Sequence, residues 1–128
     1  MPDPRYSQAV LSRFREPAHG GALAAGSGIV LSAAAGDRGQ GAQVHFALRV
    51  DQEKLQAVAF GAYGSPFLLA GSELAAEQLS GAPVAHLAQI AAIDLSRTLA
   101  ALPERLGELL IVEDALRKCW QAWENRQL

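Results

Sequence analysis

Residues 43–50, Gln43-Val44-His45-Phe46-Ala47-Leu48-Arg49-Val50, alternate large apolar side chains with polar or small ones. Successive strand side chains point to opposite faces, so this stretch predicts a strand with Val44, Phe46, Leu48 and Val50 on a buried face. Working outward, Asp51 to Lys54 turns the chain into a second predicted strand, Leu55 to Ala62. On the other side lies Gly36-Asp37-Arg38-Gly39-Gln40-Gly41, whose three glycines mark a turn, preceded by a strand over Ile29 to Ala34. Neighbouring strands joined by such short links imply an antiparallel meander, because parallel strands need long crossovers.

Beyond Tyr63-Gly64 the period changes to that of helices. Ser65-Pro66 starts a helix and Gly81 stops it. Phe67, Ala70, Leu74 and Gln78 trace one face, and Leu68, Ala75 and Leu79 widen the apolar side. Pro83 to Ile90 and Asp94 to Leu99 predict two further short helices. Pro103 opens the longest, to about Trp123, with a stripe of Leu109, Val112, Leu116, Cys119 or Trp120, and Trp123. At the N-terminus Asp3 can cap a helix with Pro4 in its first turn, which Pro17 ends. Tyr6, Val10 and Phe14 give that helix a stripe, and a loop carrying Gly20, Gly21, Gly26 and Gly28 follows. Helix, then strands, then helices only, predicts an α+β fold: a small three-stranded antiparallel sheet with helices packed on one face and a long C-terminal helix. Residues 1–128 form a single domain on this reading, with no internal repeat.

Composition narrows the function classes. Half of the 128 residues are apolar and 19% are charged, enough for one packed core. Eleven Lys plus Arg against thirteen Asp plus Glu give a net charge of −2, which offers no basic footprint for nucleic acid. The longest apolar runs, such as Leu109 to Val112, fall far short of the ~18 residues needed to cross a bilayer, so no membrane association is expected. No signal peptide is visible, and a cytoplasmic location is expected. The single cysteine, Cys119, makes neither an internal disulfide nor a cysteine-rich metal site within one chain.

Catalytic motifs are missing. Gly26-x-Gly28 lacks the third glycine of a dinucleotide loop, no Gly-Lys-Ser/Thr follows a glycine-rich turn, and no Gly-x-Ser-x-Gly elbow exists. His19, His45 and His86 are dispersed, and His45 falls on the polar face of its strand. Cys119 lies on the apolar stripe of the last helix, as a buried, inert thiol does. Glu113 and Asp114 are adjacent and point about 100° apart on a helix, so they do not converge on one substrate and are expected on a solvated face. No enzyme activity and no cofactor are expected.

The order of short motifs resembles the IscU-type iron–sulfur scaffolds, the family of the NifU N-terminal domain. Tyr6-Ser7 followed by Phe14-Arg15-Glu16-Pro17 is similar to that family's opening. Ala34-Ala35-Gly36-Asp37 resembles its Ala-Cys-Gly-Asp loop. Tyr63-Gly64-Ser65 and Ala70-Gly71-Ser72-Glu73-Leu74 resemble its Tyr-Gly-Cys loop and serine-rich helix, and Glu77, Gly81 and Ile90 keep its spacing. From Asp94 the register runs without a gap to Glu113-Asp114-Ala115, so the resemblance covers about Tyr6 to Trp123. It implies the fold predicted above.

It also implies a site: three cysteines, assisted by an aspartate and a histidine, that hold a nascent cluster or zinc. In this register the cysteine positions are Ala35, Ser65 and Glu108, the histidine position is Gly107, and only the aspartate persists, as Asp37. Oxygen and apolar side chains do not replace bridging and terminal thiolates. Cys119 falls some three turns further along its helix. The family's Leu-Pro-Pro-Val-Lys segment, which an Hsp70-type chaperone recognises, aligns with Ala101-Leu102-Pro103-Glu104-Arg105 and keeps one proline. The expectation is a member of this family that has lost its cluster ligands, expects no metal, and binds or regulates partners. A cysteine desulfurase, another iron–sulfur assembly protein or a second copy of itself are the candidates. Ala35, Pro66, Phe67 and Leu109 are expected to form an exposed apolar patch for that purpose. Two alternatives are a hard-metal site for magnesium, manganese or ferrous iron built from Asp37, Glu108 and Ser65, and a cluster shared between subunits through Cys119.

Overall fold

The structure, a computed structural model, describes residues 6–101 and 103–127. In chain order they form helix α1 (Gln8–Arg15), strands β1 (Ile29–Asp37), β2 (Ala42–Asp51) and β3 (Lys54–Tyr63), then helices α2 (Pro66–Leu79), α3 (Ala92–Leu99) and α4 (Leu106–Gln127). Short 3₁₀ turns lie at Arg38–Gln40, Val84–Ala88 and Pro103–Arg105. The predicted helix over Pro83 to Ile90 is thus a 3₁₀ turn only.

The sheet has the order β1-β2-β3 and is antiparallel throughout. Val44, Phe46, Leu48 and Val50 of β2 are buried, as their alternation requires. Their face meets α4, which packs on β1 and β2, and α2, which packs on β3, so all the large helices lie on one side. The stripe of α4 is buried at Leu109, Val112, Leu116, Cys119 and Trp123. On α2 the face departs from prediction: Gln78 is exposed, whereas Ser72 and Glu73 are buried.

Two turns set the strand register. At the end of β1, where the chain turns toward β2, Gly36 has φ +86°, and a Cβ there would lie 2.3 Å from the Ala42 carbonyl oxygen, so only glycine fits. Between β2 and β3, Gln52 and Glu53 both take positive φ, +53° and +63°, as a tight two-residue hairpin needs. Neither residue favours that conformation, so the pairing on either side holds the turn.

Helix α1 begins later than predicted. Ser7 caps it, its Oγ accepting from the Val10 N–H, while Asp3 and Pro4 lie outside the described residues. Ser7 also donates to the Leu99 carbonyl at 2.5 Å, tying α1 to α3. Only Val10 of the predicted stripe is fully buried. Phe14 is exposed, and Tyr6 packs on Phe67 with ring centroids 5.1 Å apart. Glu113 is no solvated residue either: its carboxylate accepts from the Ala92 N–H at 3.0 Å and caps α3, whose own Ala91 cannot.

Candidate functional site

The antiparallel register brings the singled-out positions to one end of the sheet. Ala35 of β1 pairs with Val44, which pairs with Ala62 of β3, and Asp37 pairs with Ala42. The turn after β3 packs back on this edge: a Cβ on Gly64 would lie 3.3 Å from the Gly41 carbonyl oxygen. Ser65 then starts α2 as its N-cap, accepting from the Leu68 N–H at 3.4 Å. Helix α4 opens beside it with Gly107 and Glu108.

The side chains there are occupied with one another. Ser65 Oγ donates to Oε2 of Glu108. Arg105 Nη1 donates to the other carboxylate oxygen, Oε1, at 3.1 Å. The Arg105 guanidinium also lies over the Phe67 ring, 5.1 Å from its centroid. Asp37 belongs to a separate arrangement. Its Oδ1 accepts from the Gly39 N–H at 2.9 Å and caps the turn at Arg38–Gln40. Of the three oxygen donors expected to form a hard-metal site, two are therefore hydrogen-bonded to each other and the third to backbone. Among the described residues, no three His, Cys, Asp or Glu side chains come together so as to hold a metal ion. Gly107 is exposed, and a Cβ there would meet nothing within 4 Å, so packing does not demand glycine.

The apolar patch expected at Ala35, Pro66, Phe67 and Leu109 is not a surface. Ala35, Phe67 and Leu109 are buried at 4%, 2% and 0% exposure, and Pro66 is half-buried. Tyr6 and Arg105 cover Phe67, and Leu109 packs so closely on α2 that a Cβ on Gly71 would lie 2.4 Å from its Cδ2. These residues form the floor of the site and part of the core.

The Cys119 thiol is buried on α4, and burial alone pushes its pKa up to about 12, so it stays protonated and unreactive near neutrality. The shared-cluster arrangement needs this thiol at the surface, and it is not there. His45 is exposed on the outer sheet face. His19 holds the buried carboxylate of Glu73: its backbone N–H donates to Oε1 at 2.7 Å, and its Nδ1 lies 2.7 Å from Oε2. These two residues lie 54 positions apart, and no local pattern signals such a pair.

A three-stranded antiparallel sheet with all large helices on one face, and with the turn after β1, the loop after β3 and the start of α4 gathered at one end, is an architecture shared with solved structures of other proteins. The N-terminal part of a NifU-like protein from Brucella abortus has this fold, with a TM-score of 0.73 at 17% identity over 94% of this chain and 95% of that one. A candidate iron–sulfur cluster assembly scaffold protein for the SUF system from Fervidobacterium islandicum has it too, with a TM-score of 0.67 at 14% identity over 89% and 95%. The family model described as the NifU-like N terminal domain matches residues 5–128, and the chain belongs to that family. The bifunctional protein NifU/MnmA of Rubrobacter xylanophilus is 30% identical over 130 residues. The match takes in 99% of this chain but 26% of that relative, so this chain spans about a quarter of its length. Among the described residues no helix is long and apolar enough to cross a membrane.

Proposed function

We propose that this domain serves iron–sulfur cluster assembly by binding another assembly protein, without holding a cluster at the family's site and without catalysing a reaction. The observation that carries this reading is the state of Glu108: both its oxygens are taken by the chain's own donors, Ser65 and Arg105. A cluster is this family's cargo, and cargo of that kind needs thiolates that are free to bridge iron. Here the corresponding positions supply a methyl group, a hydroxyl and a bonded carboxylate, so the residues do not fit the cargo. The partner is a cysteine desulfurase, another assembly protein or a second copy. With the apolar floor buried, it would meet the rim, where Pro103, Glu104, Gly107 and Leu110 are exposed.

Anaerobic reconstitution with ferrous iron and sulfide, followed by desalting, tests this. The expected product has no charge-transfer absorption in the visible and sub-stoichiometric iron. A stoichiometric cluster spectrum would overturn the proposal.

A further inference from the structure

The outer face of the sheet, opposite α2 and α4, carries a polar cleft at the same end as Ser65 and Asp37. Its floor exists because side chains are missing. Gln43 of β2 stands between Gly36 and Tyr63, and His45 between Ala34 and Gly61. The His45 imidazole lies directly on the Gly61 backbone: a Cβ there would come 2.3 Å from Cε1 and 2.8 Å from Nε2. Arg38 reaches in from the turn after β1. Its Nε donates to Gln43 Oε1 at 3.3 Å, and its guanidinium lies over the Tyr63 ring, 5.2 Å from the centroid. Arg38, Gln43, His45, Gly61, Ala62 and Tyr63 line a cleft of about 150 Å³.

The donors in this cleft are in place but unused. Among the described residues, the Arg38 Nη groups, the His45 ring nitrogens and the Tyr63 hydroxyl have no hydrogen-bond partner. No acidic side chain lines the cleft, and Arg38 contributes a full positive charge. The Gln43 contact and the Tyr63 ring fix the plane of the guanidinium, which leaves its Nη edge as a fork suited to a carboxylate or phosphate. A cation is excluded by the same charge. The volume is well below the roughly 300–1,000 Å³ of pockets for drug-sized molecules, so it suits one charged group and its waters.

We propose that Arg38, His45 and Tyr63 form a binding site for a single oxyanion, a phosphate or a carboxylate group. The site is independent of the Ser65–Glu108 contact and of whether a cluster is carried.

The test is NMR titration of the whole chain with inorganic phosphate and, separately, acetate, each at ionic strength held constant with chloride. Saturable shifts centred on Arg38, Gln43, His45 and Tyr63 are expected. Tighter binding of phosphate than acetate assigns the site to phosphoryl groups, and the reverse assigns it to carboxylates. Arg38→Gln removes the fork and is expected to weaken binding at least about tenfold. Gly61→Ala keeps every donor but displaces the imidazole, and is expected to weaken binding less, with an unchanged melting temperature showing that the sheet is intact. Shifts that grow linearly with either anion, or saturable shifts that survive Arg38→Gln, would overturn the proposal.

Discussion

Glu73 on α2 and Glu108 on α4 make an instructive pair. Each is a carboxylate whose two oxygens are engaged by donors from elsewhere in the chain. Glu73 takes the backbone N–H and imidazole of His19, and so ties the loop before β1 to the helical layer. That loop is also paired to β3, through Gly21 N–H to the Phe60 carbonyl and Phe60 N–H to the His19 carbonyl. Glu108 takes the Ser65 hydroxyl and the Arg105 guanidinium, and so ties the loop after β3 to α4. One side chain is 2% exposed and the other 24%. The first stands eight positions beyond Ser65 and the second at a position that the family resemblance aligns with a ligand, yet their chemistry is alike. On the proposed reading, Glu108 is accounted for by the loop it anchors.

Substitutions separate the two carboxylates and the residues around them. The largest effect belongs to the floor that Tyr6 and Arg105 cover. Phe67→Ala should cost about 3–5 kcal/mol in chemical denaturation, as expected for a buried aromatic; a cost below about 1 kcal/mol would mean that Phe67 is a surface residue after all. Glu73→Ala should come next, at roughly 1–3 kcal/mol, because it leaves the part-buried His19 N–H without its carboxylate acceptor. Hydrogen exchange should then accelerate at Gly21 and Phe60 before the rest of β3.

Cys119 sharpens the contrast between the two ends of α4. Its folded pKa of about 12 lies above the ordinary value of 9.0, so above about pH 9 the unfolded chain loses a proton that the folded chain keeps. Folding stability should fall by about 1.4 kcal/mol per pH unit relative to Cys119→Ala, from about pH 9 upward. Equal slopes for the two proteins would place the thiol in water.

Much of the fold was legible because periodicity reports burial directly. The alternation over residues 43–50 and the stripe from Leu109 to Trp123 each specify one buried face, and both faces are buried as specified. The family resemblance was legible through short motifs in fixed order. What stayed hidden depends on contacts between distant residues: Ser65 with Glu108, 43 positions apart, and His19 with Glu73. The apolar character of Phe67 and Leu109 was equally compatible with a sticky surface and with a core. Only the packing of Tyr6 and Arg105 over Phe67, and of Leu109 on α2, decides for the core. The sequence predicts the cap of the first helix at Asp3, whereas Ser7 holds it; serine and aspartate are both good caps, and local pattern does not choose between them.

The smallest expected effect is at Glu108, which on the proposed reading anchors a loop and does not hold metal. Thermal unfolding of the wild type and of Glu108→Ala should be compared with and without ferrous iron or manganese. An anchoring carboxylate, partly exposed, should contribute about 1 kcal/mol. The variant should therefore melt a few degrees lower, and neither metal should move either transition. A variant at least as stable as the wild type, together with a wild-type transition that metal raises and the substitution abolishes, would contradict the account.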